Sequence, residues 1–305
     1  QSRPLNLNLK GNDQMALDLI YTRKETAQAL DFATIIENCP AVLTETASPE
    51  TSGKYGFVNT LQAMQILGDF GYKPTQAVQR PSRKQSQKPF AMHMISFAHD
   101  ADLNNPYNET RPEVLLYNSH DGKSALKLYA GAFRFVCSNG IVAGDGFQSK
   151  LRHSSKTAGG FESLLRDTVA SLPRMMQRIC KLQETELTDD RGALEFAYDA
   201  ASLRWNMAPQ DINPETKQGA YFTPETIRGM FRSNRPADNG TSAWQIFNRI
   251  QENILRGGPD ILSITKAQKE AGQYWGKQRK AKAVTSLPET VRINRNLWDL
   301  ANVLA

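Results

Sequence analysis

"LLYNSHDGKSALKLYAGAFRFVCSNGIVAGDGFQSKLRHS" spans Leu115–Ser154. Two apolar runs, "LLYNS" and "ALKLYAGAFRFVCSN", flank the polar "HDGKS". Asp121-Gly122 at its centre is a strong hairpin signal, because tight hairpin turns need a residue that tolerates positive φ. Asn139-Gly140 offers a second turn. The stretch therefore reads as an antiparallel meander, and "NGIVAGDG" reads as turns that let strands reverse. A phosphate-cradling loop would need G-K-[ST], or a helix opening directly after a strand, and neither follows.

Upstream, "FVNTLQAMQILGDFGYKP" places Leu61, Met64 and Leu67 at helical spacing, with Gly68, Gly71 and Pro74 to stop the helix. Strand-like runs near 75–79 and 90–98 then flank a polar, basic, proline-containing loop. "PEVLLYNS" is expected as the next strand.

Downstream the period changes to that of helices. Phe161, Leu164, Leu165, Val169, Leu172, Met175, Met176 and Ile179 form one stripe, which Pro173 is expected to kink or split. Thr188, Thr223 (with Pro224 next) and Thr241 are the expected N-caps of later helices, and Gly257 an expected stop. "NRNLWDLANVL" is the expected last helix. Residues 258–290 lack an apolar stripe and are expected to form a mobile connector.

The expected class is α+β: a helix, an antiparallel β-meander, and a mostly helical C-terminal half. The expected division is an N-terminal extension (1–54), a helix plus sheet (55–157), a helical region (158–257), and a basic connector with a last helix (258–305).

With 305 residues, 40% hydrophobic and 22% charged, the chain can bury a real core. No window has the 18 or so uncharged apolar residues of a membrane span, and the N-terminal stretch lacks the pattern of a secretory signal. The three cysteines, Cys39, Cys137 and Cys180, make neither C-x-x-C nor an even count, which argues against a disulfide framework or structural zinc. A reducing, cytoplasmic setting is expected, with no membrane partner and no cofactor.

Chemistry-bearing residues are few. His93 and His99 lie six apart in a strand, with Asp100, Asp102, His120 and Asp121 near in sequence. A metal-dependent nuclease could be built from such a set, but no H-E-x-x-H spacing supports it, and Asp121 already serves the turn. Cys137 has no assignable base, so it reads as a strand cysteine.

Basic residues are more informative. Arg80, Arg83, Lys84 and Lys88 fall within nine residues without an acid. Lys150, Arg152, His153 and Lys156 follow the meander, and Arg134 sits within it. Lys266, Lys269, Lys277, Arg279, Lys280 and Lys282 form a third run around Tyr274 and Trp275, with Glu270 the one acid among them. Cations neutralise phosphates and aromatics stack on unpaired bases, so these residues are the expected nucleic-acid contacts. The net charge of +6 agrees with that expectation without requiring it.

Three features also carry a family resemblance: Leu116 with Asn118-Ser119-His120-Asp121-Gly122, then Phe133-Arg134-Phe135-Val136-Cys137, then Asn139-Gly140. With "YGFVNTLQAMQILGDFGYKP" before them, and "WQIFNRIQENILRGG" and "RINRNLWDLA" after, the chain resembles the phage- and plasmid-borne family catalogued as domain of unknown function 932, the YafZ/YfjQ/YubP-like proteins, over roughly residues 50–305. The family brings no catalytic residues. It implies a mobile-element protein in a bacterial cytoplasm. The order of elements alone is similar to that of single-strand annealing proteins.

The expectation is a DNA-binding protein, with single-stranded DNA as partner, acting in recombination or replication, and with self-association into an oligomer. The rival expectation is an inhibitor of a host defence system that binds a host protein. The metal-dependent nuclease ranks third.

Overall fold

The first helix, α1 (Phe32–Asn38), opens where the Asp31 carboxylate accepts the Thr34 N–H at 2.7 Å. In α2 (Thr60–Asp69) the Asn59 side chain caps in the same way, accepting the Gln62 N–H. Ala63 and Leu67 are buried and Leu61 and Met64 pack beside them, as the spacing predicts. Gly71, at φ 80°, turns the chain into the sheet; a Cβ there would lie 2.9 Å from the His99 ring. The computed structural model describes residues 28–103, 110–134, 139–142, 148–151, 160–207, 223–263, 266–271 and 277–304.

Four antiparallel strands form the body of the sheet in chain order: β1 (Tyr72–Gln79), β2 (His93–His99), β3 (Thr110–Asn118) and β4 (Leu126–Arg134). A four-residue helix, α3 (Asp100–Leu103), follows β2. Two short strands pair with β4: β5 (Asn139–Val142) with Gly131–Arg134, and β6 (Gln148–Leu151) with Leu126–Tyr129. Asn139-Gly140 is therefore a paired strand segment and not a turn, because its partners are Phe133 and Arg134.

Register divides the sheet into two faces. Ala77, Ile95, Leu116 and Leu128 share one, which joins the main core. Met94, Leu115, Tyr117 and Tyr129 lie on the other and pack against Val291 and Leu287.

The C-terminal half is mostly helical. Helix α4 (Gly160–Glu184) runs unbroken through Pro173, where a kink or split was expected. Leu165, Leu172, Met175, Ile179 and Leu182 stay in one buried stripe on both sides of the proline, so packing holds the helix as one element. Helix α5 (Asp190–Trp205) is capped by Asp189 and not by Thr188, since the aspartate accepts the Arg191 N–H. Thr223 caps α6 (Pro224–Met230) as expected. Helix α7 (Ala243–Arg256) is capped by Ser242, one residue beyond the expected Thr241; the Thr241 hydroxyl is instead donated to Glu186.

Gly257 ends α7 at φ 79°, and a hairpin follows where a mobile connector was expected. Its strands are β7 (Asp260–Ser263) and β8 (Lys277–Lys280), with the short helix α8 (Lys266–Glu270) between them. Ala281 donates its N–H to Pro259 O and Val284 to Leu255 O, while Ile261, Leu262, Ala281 and Val284 are buried. Ile261 and Leu262 of β7 are covered by α6, whose Thr226 hydroxyl is donated to Asp260 O. The last helix, α9 (Leu287–Leu300), starts seven residues before the expected "NRNLWDL" and carries Ile293, Leu297 and Trp298 into the main core.

Candidate functional site

The "NSHDG" segment closes β3 and lies against α2. Thr60, His93, Asn118 and His120 are each 0% exposed there. Thr60 Oγ1 lies 2.9 Å from His93 Nε2, 3.2 Å from His120 Nε2 and 3.0 Å from Asn118 Nδ2. Donor and acceptor counting assigns the protons. His93 Nδ1 faces the Ala91 carbonyl at 2.9 Å, so it must carry the hydrogen. His93 Nε2 is then an acceptor and takes the Thr60 O–H. The two lone pairs of Thr60 accept from Asn118 and from His120 Nε2–H.

A second proton on His93 has no acceptor in this arrangement. Burial sets the same direction: it pushes the His93 pKa down to about 4, against a smaller opposing pull from the Ala91 carbonyl.

This cluster sits beneath the basic loop between β1 and β2. His120 N–H donates to Phe90 O, Thr44 Oγ1 to Pro89 O, and Gln79 Nε2 to Lys88 O. Arg80 N–H donates to Met92 O, which extends the β1–β2 ladder into the loop. A short 3-10 helix, Gln85–Phe90, fills the rest. Arg80, Arg83, Lys84 and Lys88 are all exposed on this frame. The stretch that looked most like chemistry in the sequence thus supports the basic loop from below.

The other expected site residues are distributed as follows. Lys150 is in β6, opposite Lys127 of β4, and Arg134 ends β4. Arg152, His153, Lys156, Tyr274, Trp275 and Cys137 lie outside the described residues. Lys266 and Lys269 belong to α8, and Lys277 pairs with Ser263 in the hairpin. Arg279 and Lys282 are exposed, and Lys280 makes an ion pair with Asp260 at 2.9 Å.

His99 is at the far end of β2 from His93, about 20 Å away at strand rise, so the two histidines do not share a site. Among the described residues no group of three or more His, Cys, Asp or Glu side chains could hold a metal ion. Cys39 is buried, and burial raises its pKa away from the reactive thiolate. No helix among the described residues is long and apolar enough to cross a membrane.

Sequence reasoning missed Thr60, Asn118 and Lys127. Lys127 had a signal: the hairpin that begins at Tyr117 sets it opposite that tyrosine, with Nζ 5.5 Å from the ring centroid. Thr60 had none, because its partners are 33 to 60 residues away in the chain.

The buried Thr60–His93–Asn118–His120 cluster and the exposed basic loop both lie within the part of the chain that a family model matches. The model of a domain of unknown function, DUF932, matches residues 50–298, and the chain belongs to that family. It is 26% identical over 272 residues to the UPF0380 protein YafZ of Escherichia coli (strain K12), covering 87% of this chain and 88% of that protein. It is 25% identical over 266 residues to the UPF0380 protein YfjQ of the same organism, with the same coverage. No solved structure matches.

Proposed function

We propose that this chain is a DNA-binding protein of a phage or plasmid, that its ligand is single-stranded DNA, and that it acts in recombination or replication. One observation carries the reading. Four exposed cations, Arg80, Arg83, Lys84 and Lys88, stand on a loop that contains no acid and is hydrogen-bonded to a buried polar cluster. Exposed cations on an ordered backbone suit a polyanion, because less conformational entropy is lost when phosphates bind. Binding is stoichiometric in this reading, and self-association would let weak contacts add along a strand.

Fluorescence anisotropy tests it. The full chain is titrated into labelled single- and double-stranded oligonucleotides at two salt concentrations. Neutralising Arg80, Arg83, Lys84 and Lys88 together with glutamine is expected to weaken single-strand binding and flatten its salt dependence. Equal affinity of the variant and the parent removes the loop from the site.

A further inference from the structure

Two connections meet at one end of the sheet: the basic loop between β1 and β2, and the Asp121-Gly122 turn between β3 and β4. They are neighbours because β2 and β3 pair at that end, His93 opposite Asn118. The segment 44–57, which precedes α2, lies against both. Towards the loop, Thr44 Oγ1 donates to Pro89 O at 2.6 Å, and Glu50 Oε1 accepts from Gln87 Nε2 at 2.9 Å. Towards the turn, Ser48 N–H donates to His120 O at 2.9 Å, and the Tyr55 hydroxyl donates to Ser119 O at 3.0 Å. A Cβ on Gly122 would lie 3.1 Å from the Thr51 methyl and 4.0 Å from the Tyr55 ring, so the turn packs directly on the segment. Three stretches far apart in the chain thus make one ordered surface. Two cations outside the basic loop stand on it. Lys54 is exposed and makes no ion pair among the described residues. Lys123 has a side chain 73% exposed, and its ion pair with Asp121 is long, at 3.9 Å. With Arg80, Arg83, Lys84 and Lys88 the surface carries six cations against three acids, Glu45, Glu50 and Asp121.

We propose that Lys54 and Lys123 are further phosphate contacts, and that one nucleic-acid strand runs along this end of the sheet, from the basic loop over the segment 44–57 to the Asp121-Gly122 turn. The inference rests on the DNA-binding reading above; it adds two contacts from outside the basic loop and gives the ligand a path. The faces of the sheet are closed to such a ligand, one by the main core and the other where Val291 and Leu287 of α9 pack on it, whereas the end is exposed. The two connections are two strand spacings apart, about 10 Å, so a strand of a few nucleotides reaches from one to the other. Hydrogen bonds already hold all three stretches, so little backbone order has to be created when phosphates bind.

The test uses the full chain and a fluorescein-labelled oligothymidylate over a salt series. Lys54→Gln and Lys123→Gln are each expected to reduce the slope of log K against log salt by about 0.7, the single-strand value for one phosphate contact. Lys54→Arg and Lys123→Arg, which keep the charge, are expected to keep the slope. Lys181→Gln, at an exposed position of α4, serves as the control and is expected to change nothing. Thermal midpoints verify that each variant folds. If the quadruple loop variant loses slope while either Lys54→Gln or Lys123→Gln retains the parent's slope, the path is wrong and the DNA-binding reading stands. An equal loss of slope in Lys181→Gln would also overturn the path, because it would mark a general effect of net charge. If the parent fails to bind the oligonucleotide at low salt, both the path and the DNA-binding reading fall.

Discussion

Thr60 Oγ1 lies 2.9 Å from His93 Nε2, and this one contact joins the helix before the sheet to the strand that leaves the basic loop. The same hydroxyl accepts from Asn118 and His120. Three partners on one buried oxygen make it the hub of the loop's support.

Thr60→Val keeps the shape of the side chain and removes the hydroxyl. It strands buried groups on His93, Asn118 and His120. A loss of about 3 kcal/mol in urea unfolding is expected, from costs of about 1–3 kcal/mol per unsatisfied buried group with partial relaxation. Thr60→Ser keeps the hydroxyl and should lose only about 1 kcal/mol, the value of one buried methyl. Equal losses for the two variants would remove the hydroxyl from its role.

The His93 proton makes stability depend on pH. The ordinary histidine value of 6.5 applies to the unfolded chain, and the folded value is about 4. Between these values the unfolded chain takes up a proton that the folded chain refuses, so stability falls as pH falls from 6.5 toward 4. The loss reaches about 3 kcal/mol at its limit. His93→Gln should lower stability overall and flatten this slope between pH 6.5 and 4. Thermal midpoints of the parent and the variant at half-unit pH steps measure it, and parallel profiles would contradict it.

On the second face of the sheet, Arg111 and Glu113 form an ion pair at 2.9 Å with side-chain exposures of 1% and 2%. Thr75 also donates its hydroxyl to the carboxylate. Arg111→Met leaves a buried carboxylate and should cost about 3–5 kcal/mol. The double variant Arg111→Met, Glu113→Leu should recover much of that loss, because no charge remains to be desolvated. A double variant less stable than Arg111→Met alone would mean the pair stabilises the fold outright.

Gly257 has φ 79° and ψ 180°, a region open in practice to glycine alone. A Cβ there would lie 2.3 Å from Ala281 O. Gly257→Ala should destabilise by about 2 kcal/mol or more through backbone strain and by displacing the segment after β8. Hydrogen exchange at the Ala281 and Val284 amides reads the displacement. Unchanged protection would show that the contact is not needed.

The local features of this fold were legible in the sequence. Leu61, Met64 and Leu67 have helical spacing, Asp121-Gly122 turns a hairpin, and Thr223-Pro224 starts a helix; each needs only neighbouring residues to take effect. Caps were misplaced by one residue where two candidates adjoin, as at Thr241 and Ser242, because the choice depends on Glu186, which competes for the Thr241 hydroxyl. The β7–β8 hairpin escaped notice because its strands have four residues each and no stripe of their own. The burial of Ile261 and Leu262 in β7 comes from packing against α6.

The sequence by itself determined the class of the fold, the acid-free character of the Arg80–Lys88 loop and the family motif around His120. Those properties depend on residue type and spacing over a few residues. Tertiary structure decided what the motif does. Asn118 and His120 can meet Thr60 and His93 only after β3 pairs with β2 and α2 lies across the sheet. Tertiary structure likewise set Lys127 opposite Tyr117 of β3. A strand's side chains alternate with period 2, but which strand stands opposite is a matter of long-range pairing, and no local pattern encodes it.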